Sequence, residues 1–349
     1  MRRHGLYDPK DAVALTPAAR TLLLPFDADI LPLPSAGRPW LFLNATPLDT
    51  DWRDRVTTVQ GFRPEFLALQ RAGFRASPGI ERSDYAGALI LLGRHRGQNE
   101  AWLADALEHV EPGGRIVVAG DKTAGVGSFR KRAGSIAPVE DSMSKNHAVV
   151  YWLRRPAHLD PGTIAGLRPV STLLDGRFVT SPGMFSHASV DRGSAMLARH
   201  LEGRLSGAVA DFGAGWGYLA AECLRRASQI TRLDLYEADH ASLDAARRNL
   251  SGLNQARLGF HWTDLTREPV PERYDAIIMN PPFHAGRAAD PTLGIGFIRA
   301  AHSALKPGGK LLMVANRQLP YEAALRELFR SIDVVEEGSG FKVIEARKI

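Results

Sequence analysis

Apolar and polar positions in the second half of the chain follow two periods, one typical of buried strands and one typical of amphipathic helices. Residues 208–212 form a short apolar run that ends in a glycine-rich turn, and residues 218–227 carry apolar side chains at helical spacing. Further elements follow in alternation, with strands at 232–236 and 274–279 and helices at 239–252 and 293–305. This repeated order predicts a mostly parallel sheet covered by helices.

The last part of the chain predicts a different strand arrangement. Residues 310–315 are strand-like after the turn Pro307-Gly308-Gly309, and apolar runs at 332–337 and 341–346 flank Gly338-Ser339-Gly340. A connection this short allows a hairpin and therefore an antiparallel pair. Together with a strand before Asp264, these runs predict a seven-stranded, mostly parallel sheet with an antiparallel terminal hairpin.

The first half of the chain is a faint copy of the second. Residues 105–118 align with 302–314 around a shared Pro-Gly-Gly-basic-apolar segment, and residues 85–92 align with 274–279. The strand predicted at 40–44 is followed by no glycine cluster, so we expect no nucleotide site there. We therefore predict two α/β domains, a non-catalytic one at residues 1–160 and a catalytic one at 161–349.

Composition narrows the class of protein. The chain has 349 residues, of which 44% are hydrophobic and 23% charged, as in ordinary globular proteins. Its single cysteine, Cys223, excludes internal disulfides and fits a reducing cytoplasm, where we expect the protein to stay. We predict no membrane span and, because the eleven histidines form no ligand pattern, no metal site. A net charge of +6 fits a polyanionic partner.

A glycine-rich segment and two acidic residues predict a nucleotide cofactor site. Asp211 starts the segment Asp211–Gly217, whose Gly213, Gly215 and Gly217 let the backbone pass close to a ligand. Glu237 ends the next predicted strand, where a carboxylate can accept both hydroxyls of a ribose. Asp264 could accept the exocyclic amine of an adenine, while Leu265 offers its backbone amide.

The segment Asn280-Pro281-Pro282-Phe283 follows an apolar strand and predicts the chemistry. In such a rigid turn the Asn280 side-chain oxygen and the Pro281 carbonyl can both accept hydrogen bonds from one planar NH₂ group. Two acceptors draw the conjugated amine toward tetrahedral geometry, so that its lone pair can attack a methyl sulfonium in line. Phe283 would stack on the base that carries the amine. The segment therefore favours N-methylation.

At these residues the second domain resembles the Rossmann-like methyltransferases that use S-adenosylmethionine. The match extends to Gly183-Met184-Phe185-Ser186, to Asp191-Arg192-Gly193-Ser194, to the terminal Gly340-Phe341-Lys342-Val343, and to Pro112–Ser128 in the first half. These segments resemble the ribosomal RNA guanine-N2 methyltransferases, specifically the small-subunit methyltransferase C group. The resemblance implies tandem Rossmann-like methyltransferase domains, the N-terminal one degenerate and binding RNA. It also implies that Phe185 and Ser186 close over the methyl donor.

We therefore predict methyl transfer from S-adenosylmethionine to the exocyclic N2 of a guanine in small-subunit (16S) ribosomal RNA, by a cytoplasmic monomer. Asn280, Pro281, Pro282 and Phe283 are the predicted catalytic residues. Because the same turn suits any planar amine, large-subunit guanine N2, adenine N6 and a protein glutamine amide stay open as acceptors. A non-catalytic RNA-binding assembly protein is a rival from another class, which the intact Asp211–Gly217 and Asn280–Phe283 segments disfavour.

Overall fold

The computed structural model describes residues 15–253, 257–282, 284–285, 288–289 and 291–349, without the side chains of 284–285 and 288–289. The chain divides into two compact units, Met1–Pro169 and Val170–Ile349. Each unit is built around one seven-stranded sheet. The described part of the chain contains no helix long and apolar enough to cross a membrane, and no group of three His, Cys, Asp or Glu side chains that could hold a metal ion.

The described part of the first unit starts with two short helices and then alternates strands and helices. Its elements are α1 (Pro17–Leu22), α2 (Leu24–Asp27), β1 (Trp40–Leu43), β2 (Val56–Val59), α3 (Arg63–Arg71), β3 (Ala76–Ser77), β4 (Tyr85–Leu91), α4 (Arg96–His109), β5 (Val110–Asp121), α5 (Val126–Gly134), β6 (Val139–Lys145), β7 (Ala148–Arg154) and α6 (Pro161–Ala165). The sheet order is β3-β2-β1-β4-β5-β7-β6, with β7 antiparallel to both of its neighbours. Two clusters of buried apolar side chains cover its faces.

The second unit repeats this plan after a short β-ribbon. Its elements are β8 (Thr172–Leu174), β9 (Phe178–Thr180), α7 (Arg192–Ala198), β10 (Gly207–Phe212), α8 (Tyr218–Arg226), β11 (Ile230–Glu237), α9 (His240–Leu250), β12 (Arg257–Trp262), β13 (Tyr274–Met279), β14 (His284–Ala285), β15 (Ala288–Ala289), α10 (Pro291–Ala304), β16 (Leu305–Asn316), α11 (Tyr321–Leu328), β17 (Ser331–Gly338) and β18 (Phe341–Arg347). The order β12-β11-β10-β13-β16-β18-β17 matches that of the first unit position by position.

The predicted architecture is confirmed. β10, β11, β12, β13 and β16 run parallel, while β18 is antiparallel to β16 and forms the terminal hairpin with β17. The largest difference from a predicted boundary is at β16, which begins at Leu305 and passes through Pro307-Gly308-Gly309, whereas the other predicted ends in this unit lie within two residues of the observed ones. Leu305 pairs with Tyr274 before the register shifts, which extends the strand across the predicted turn.

The parallel strands determine where a site can form. Their carboxyl ends meet at one edge of the sheet, and ligands of open α/β sheets bind at such an edge where the strand order reverses. In the second unit the strand order reverses between β10 and β13. From β10 the chain continues outward to β11 and β12, and it then returns to the other side of β10 as β13. The loops that follow β10 and β13 carry the glycine-rich segment and Asn280.

Candidate active site

The glycine-rich loop connects β10 to α8 at this edge. Gly213, Gly215 and Gly217 have φ angles of +75°, +54° and +90°, a left-handed region that other residues rarely adopt. A Cβ atom added at Gly217 would lie 3.1 Å from the Cβ atom of Ala246 on α9. Glycine is therefore required there both by the backbone conformation and by the close approach of a helix.

Glu237, the last residue of β11, holds this loop through its carboxylate. One oxygen accepts a hydrogen bond from the Gly215 amide at 2.8 Å, and the other accepts one from the Asp239 amide at 2.8 Å. Burial and then the charge of Asp239 raise the pKa of Glu237 to about 7. Each oxygen keeps a second lone pair, so the carboxylate can still accept hydrogen bonds from a ligand's hydroxyl groups.

Asp211 lies one strand away from Glu237, near the end of β10, and its side chain is fully buried. Neither of its carboxylate oxygens has a hydrogen-bond partner among the residues described by the structure. Burial and then the negative charge of Glu237 raise its pKa to about 8. Two carboxyl groups with raised pKa values are thus found at the ends of neighbouring strands, and a nearby cation would stabilise their ionised forms.

Asp264 follows β12 and is also buried. Its Oδ1 accepts hydrogen bonds from the Thr266 amide at 3.0 Å and from the Thr266 hydroxyl at 2.6 Å. Its Oδ2 is buried and accepts no hydrogen bond from the residues described, with the Arg267 Nε atom 3.9 Å away. This oxygen can accept an amine hydrogen from a ligand. Leu265, the next residue, has a buried side chain.

Asn280 follows β13 immediately and stands opposite the glycine-rich loop. Its side-chain amide donates hydrogen bonds to Asp191 Oδ2 at 2.8 Å and to Ser194 Oγ at 2.9 Å. Both acceptors lie at the beginning of α7. Pro281 is buried and Pro282 exposed, and Phe283 lies outside the described residues.

A cleft brings part of the predicted site together. Its lining includes five predicted site residues, which come from the loop, from the position after β13 and from the segment before α7: Phe185, Ser186, Gly213, Gly215 and Asn280. Phe185 is 57% exposed, and its backbone carbonyl accepts a hydrogen bond from the Trp216 indole at 2.8 Å. Phe185 therefore lies at the mouth of the cleft, and Trp216 of the glycine-rich loop holds its backbone in place.

Other predicted residues support the cleft without lining it. Glu237 connects to it through Gly215, whereas Asp211, Asp264 and Leu265 are buried and do not line it. Several lining residues have no role that the sequence predicts, namely Asp191, Ser194, Ala214, Trp216, Tyr218 and Leu219. For Asp191 a signal was present, because Asp191-x-x-Ser194 is a helix-capping pattern, and the Asp191 carboxylate does accept from the Ser194 amide at 2.7 Å.

Comparison with known proteins identifies a matching family and similar chains. The family described as "Methyltransferase small domain" matches residues 175–345. A "Ribosomal RNA small subunit methyltransferase C" of Pseudomonas aeruginosa is 30% identical over 342 residues, covering 96% of this chain and 100% of the relative. A protein with the same description from Psychromonas ingrahamii is 29% identical over 272 residues, covering 73% of this chain and 74% of the relative.

A solved structure covers both units. It is a T. Thermophilus 16S rRNA N2 methyltransferase in complex with AdoMet and guanosine, with a TM-score of 0.77. The match covers 97% of this chain and 93% of that one, at 24% sequence identity. At this identity the likeness establishes the shared two-sheet fold.

Proposed function

Because this chain belongs to the ribosomal RNA small subunit methyltransferase C family, we propose that it methylates the exocyclic N2 of a guanine in small-subunit ribosomal RNA, with S-adenosylmethionine as the methyl donor. The observation that carries the proposal is the position of Asn280. It directly follows β13, the strand beside β10, and lines one cleft with Gly213 and Gly215. A target amine and a methyl donor can therefore meet across that cleft.

The residues present fit S-adenosylmethionine. Glu237 would take the ribose hydroxyls, and the Asp264 oxygen that accepts no hydrogen bond from the described residues would take the adenine amine. The backbone of Gly213 and Gly215 leaves room for the rest of the molecule, and Phe185 and Ser186 would close over it. When bound, this cofactor supplies an electrophilic methyl group on a sulfonium.

The protein's own contribution to the reaction is positional. Asn280 Oδ1 and the Pro281 carbonyl would accept the two hydrogens of the guanine amine, which directs its lone pair toward the methyl group. A guanine must leave its base stack to reach a site of this kind. Phe185 offers an exposed aromatic surface at the cleft mouth, and Phe283 is the second proposed stacking residue. Methyl transfer makes the nitrogen cationic, and its proton is then lost to water.

The first unit, by contrast, is proposed to bind RNA. Its exposed basic side chains include Arg130 and Lys131 on α5. Reversing both charges, with Arg130→Glu and Lys131→Glu, should raise the KM for ribosomal RNA and leave the Kd for S-adenosylmethionine unchanged. We further propose that the enzyme acts as a cytoplasmic monomer.

The first experiment is methyl transfer from radiolabelled S-adenosylmethionine to deproteinised ribosomal RNA, isolated small subunits and isolated large subunits in separate reactions. Label in N2-methylguanosine from the small subunit supports the atom and the particle together. Label in another nucleoside or in protein would replace the substrate and keep the methyltransferase. No label and no cofactor binding would favour a non-catalytic RNA-binding protein.

A further inference from the structure

The Asn280 side chain can serve the target amine in only one of its two orientations. Its Oδ1 must face the amine as an acceptor, because the opposite orientation would present the NH₂ group and place two donors against each other. The Asn280-Pro281-Pro282 turn does not select between them, since rotation of the amide by 180° changes no backbone atom. Another part of the protein has to select.

The structure assigns this selection to Asp191: we propose that its carboxylate, with the Ser194 hydroxyl, orients the Asn280 amide so that Oδ1 is the free acceptor. The Asn280 NH₂ group has two hydrogens, and it donates one to Asp191 Oδ2 at 2.8 Å and one to Ser194 Oγ at 2.9 Å. In the reversed orientation Oδ1 would face a carboxylate oxygen, which repels it. The inference rests on the proposed function, because it concerns the same amine.

Asp191 is itself held in place by the helix it caps. Its Oδ2 also accepts a hydrogen bond from the Ser194 amide at 2.7 Å, so one oxygen serves both the helix and the asparagine. A Cβ atom added at Gly193 would lie 3.0 Å from the Phe341 ring, which shows how closely the first turn of α7 packs against β18. Ser194 is buried on the same turn. The two acceptors therefore form a rigid support, and Asp191 is a positioning residue.

The variants that test this are Asp191→Ala, Asp191→Asn and Ser194→Ala. Asp191→Ala removes the selecting charge, and we expect kcat to fall about 30-fold, as for a lost charge-assisted hydrogen bond. Asp191→Asn keeps an oxygen that can accept from both partners, so it should restore kcat to within about 5-fold of the wild type. Ser194→Ala should lie between them. The Kd for S-adenosylmethionine and the KM for RNA should stay within about 2-fold throughout.

A matched control separates orientation from helix capping. Asp160 caps α6 in the same way, accepting from the Thr163 amide at 2.7 Å, and belongs to the first unit, whereas Asn280 belongs to the second. Asp160→Ala should leave kcat unchanged. An Asp191→Ala enzyme with kcat within about 3-fold of the wild type would overturn the inference, and so would an Asp191→Asn enzyme no better than Asp191→Ala.

A second measurement does not depend on turnover. In protein labelled with ¹⁵N-asparagine, the Asn280 side-chain NH₂ signals, assigned by their loss in Asn280→Ala, should exchange slowly with water in the wild type and fast in Asp191→Ala. Equal exchange in both would overturn the inference. A wild type that methylates no ribosomal RNA would instead contradict the proposed function, while the NH₂ signals still decide what holds the amide.

Discussion

The sheets of the two units have the same strand order, and they differ in what stands at the carboxyl ends of equivalent strands. The register pairs Leu43 with Val59 and Ile90 in the first unit, and Phe212 with Tyr236 and Met279 in the second. The residues that follow these positions are therefore equivalent: Asn44 and Gly213, Gln60 and Glu237, Leu91 and Asn280. The same fold thus places different side chains at equivalent positions in the two units.

The pair Asn44 and Gly213 shows how the first unit closes the space that the second leaves open. Asn44 has a φ of +52°, close to the left-handed conformation of Gly213. Its side-chain amide donates to the Leu91 carbonyl at 2.9 Å, so the side chain bridges the ends of β1 and β4. In the second unit this gap is where the glycine-rich loop and Asn280 form the cleft.

The pair Gln60 and Glu237 shows a second difference between the units, in the hydrogen bonds that the two side chains make. Glu237 accepts from the amides of Gly215 and Asp239, and Gln60 accepts from the Phe62 amide at 2.9 Å. The other end of Gln60 is an NH₂ group that donates to the Ala45 carbonyl at 2.8 Å. The uncharged amide of Gln60 thus binds the backbone carbonyl of the loop after β1. The first unit therefore lacks the negative charge that Glu237 provides in the second, which would favour a cationic ligand.

Asn280→Ala should have the largest effect, because it gives the second unit a non-accepting side chain at the position of Leu91. We expect kcat to fall by at least about 100-fold, as when one transition-state hydrogen-bond partner is removed from an active site. The Kd for S-adenosylmethionine, measured by calorimetry, should change by less than about 2-fold. Near-normal turnover would remove Asn280 from the catalytic residues.

Gly213→Asn should close the gap between the ends of β10 and β13, as Asn44 does between β1 and β4 in the first unit. A Cβ atom at Gly213 would lie 3.3 Å from the Phe297 ring, which must shift by a few tenths of an ångström, and 4.0 Å from the Asn280 carbonyl oxygen, the equivalent of the carbonyl that Asn44 binds. Asparagine tolerates the left-handed backbone. We expect the protein to fold and the cofactor Kd to rise about 30-fold, since the new side chain occupies ligand space. Gly37→Asn, at an open position in the first unit, is the control. Unchanged affinity for Gly213→Asn would show that the ligand does not approach Gly213.

The sequence reveals these differences only where the residues are contiguous. The strand at 274–279 is predicted to the residue because a buried apolar run stops at Asn280-Pro281, and the glycine-rich loop is recognisable because its residues follow one another. Asp191 lies 89 residues from Asn280, and the contact exists only because α7 packs against the sheet. The equivalence of Gln60 and Glu237 likewise required the strand register, since no motif surrounds Gln60.

Glu237→Gln should change how stability depends on pH. The folded-state pKa of Glu237, about 7, lies above the ordinary value of 4.5, so the folded chain binds more protons between these values than the unfolded chain. Its contribution to the free energy of unfolding is therefore full below pH 4.5 and is lost as the pH rises through 7. Relative to the wild type, Glu237→Gln should gain on the order of 1 kcal/mol between pH 5 and pH 7. Urea denaturation at several pH values measures this, and parallel curves would contradict the raised pKa.

Changes at the equivalent edge of the first unit should have the smallest effect on the reaction. Asn44→Gly and Gln60→Ala remove the hydrogen bonds to Leu91, Ala45 and Phe62, and each should lower the free energy of unfolding by about 1 kcal/mol. Calorimetry should still give one cofactor per chain with an unchanged Kd, because the opened edge has no acid at position 60 and no glycine-rich loop. A second bound cofactor per chain would mean that only the side chains of Asn44 and Gln60 prevent the first unit from binding it. A single site with a higher cofactor Kd would mean that this edge of the first unit affects cofactor binding by the second unit.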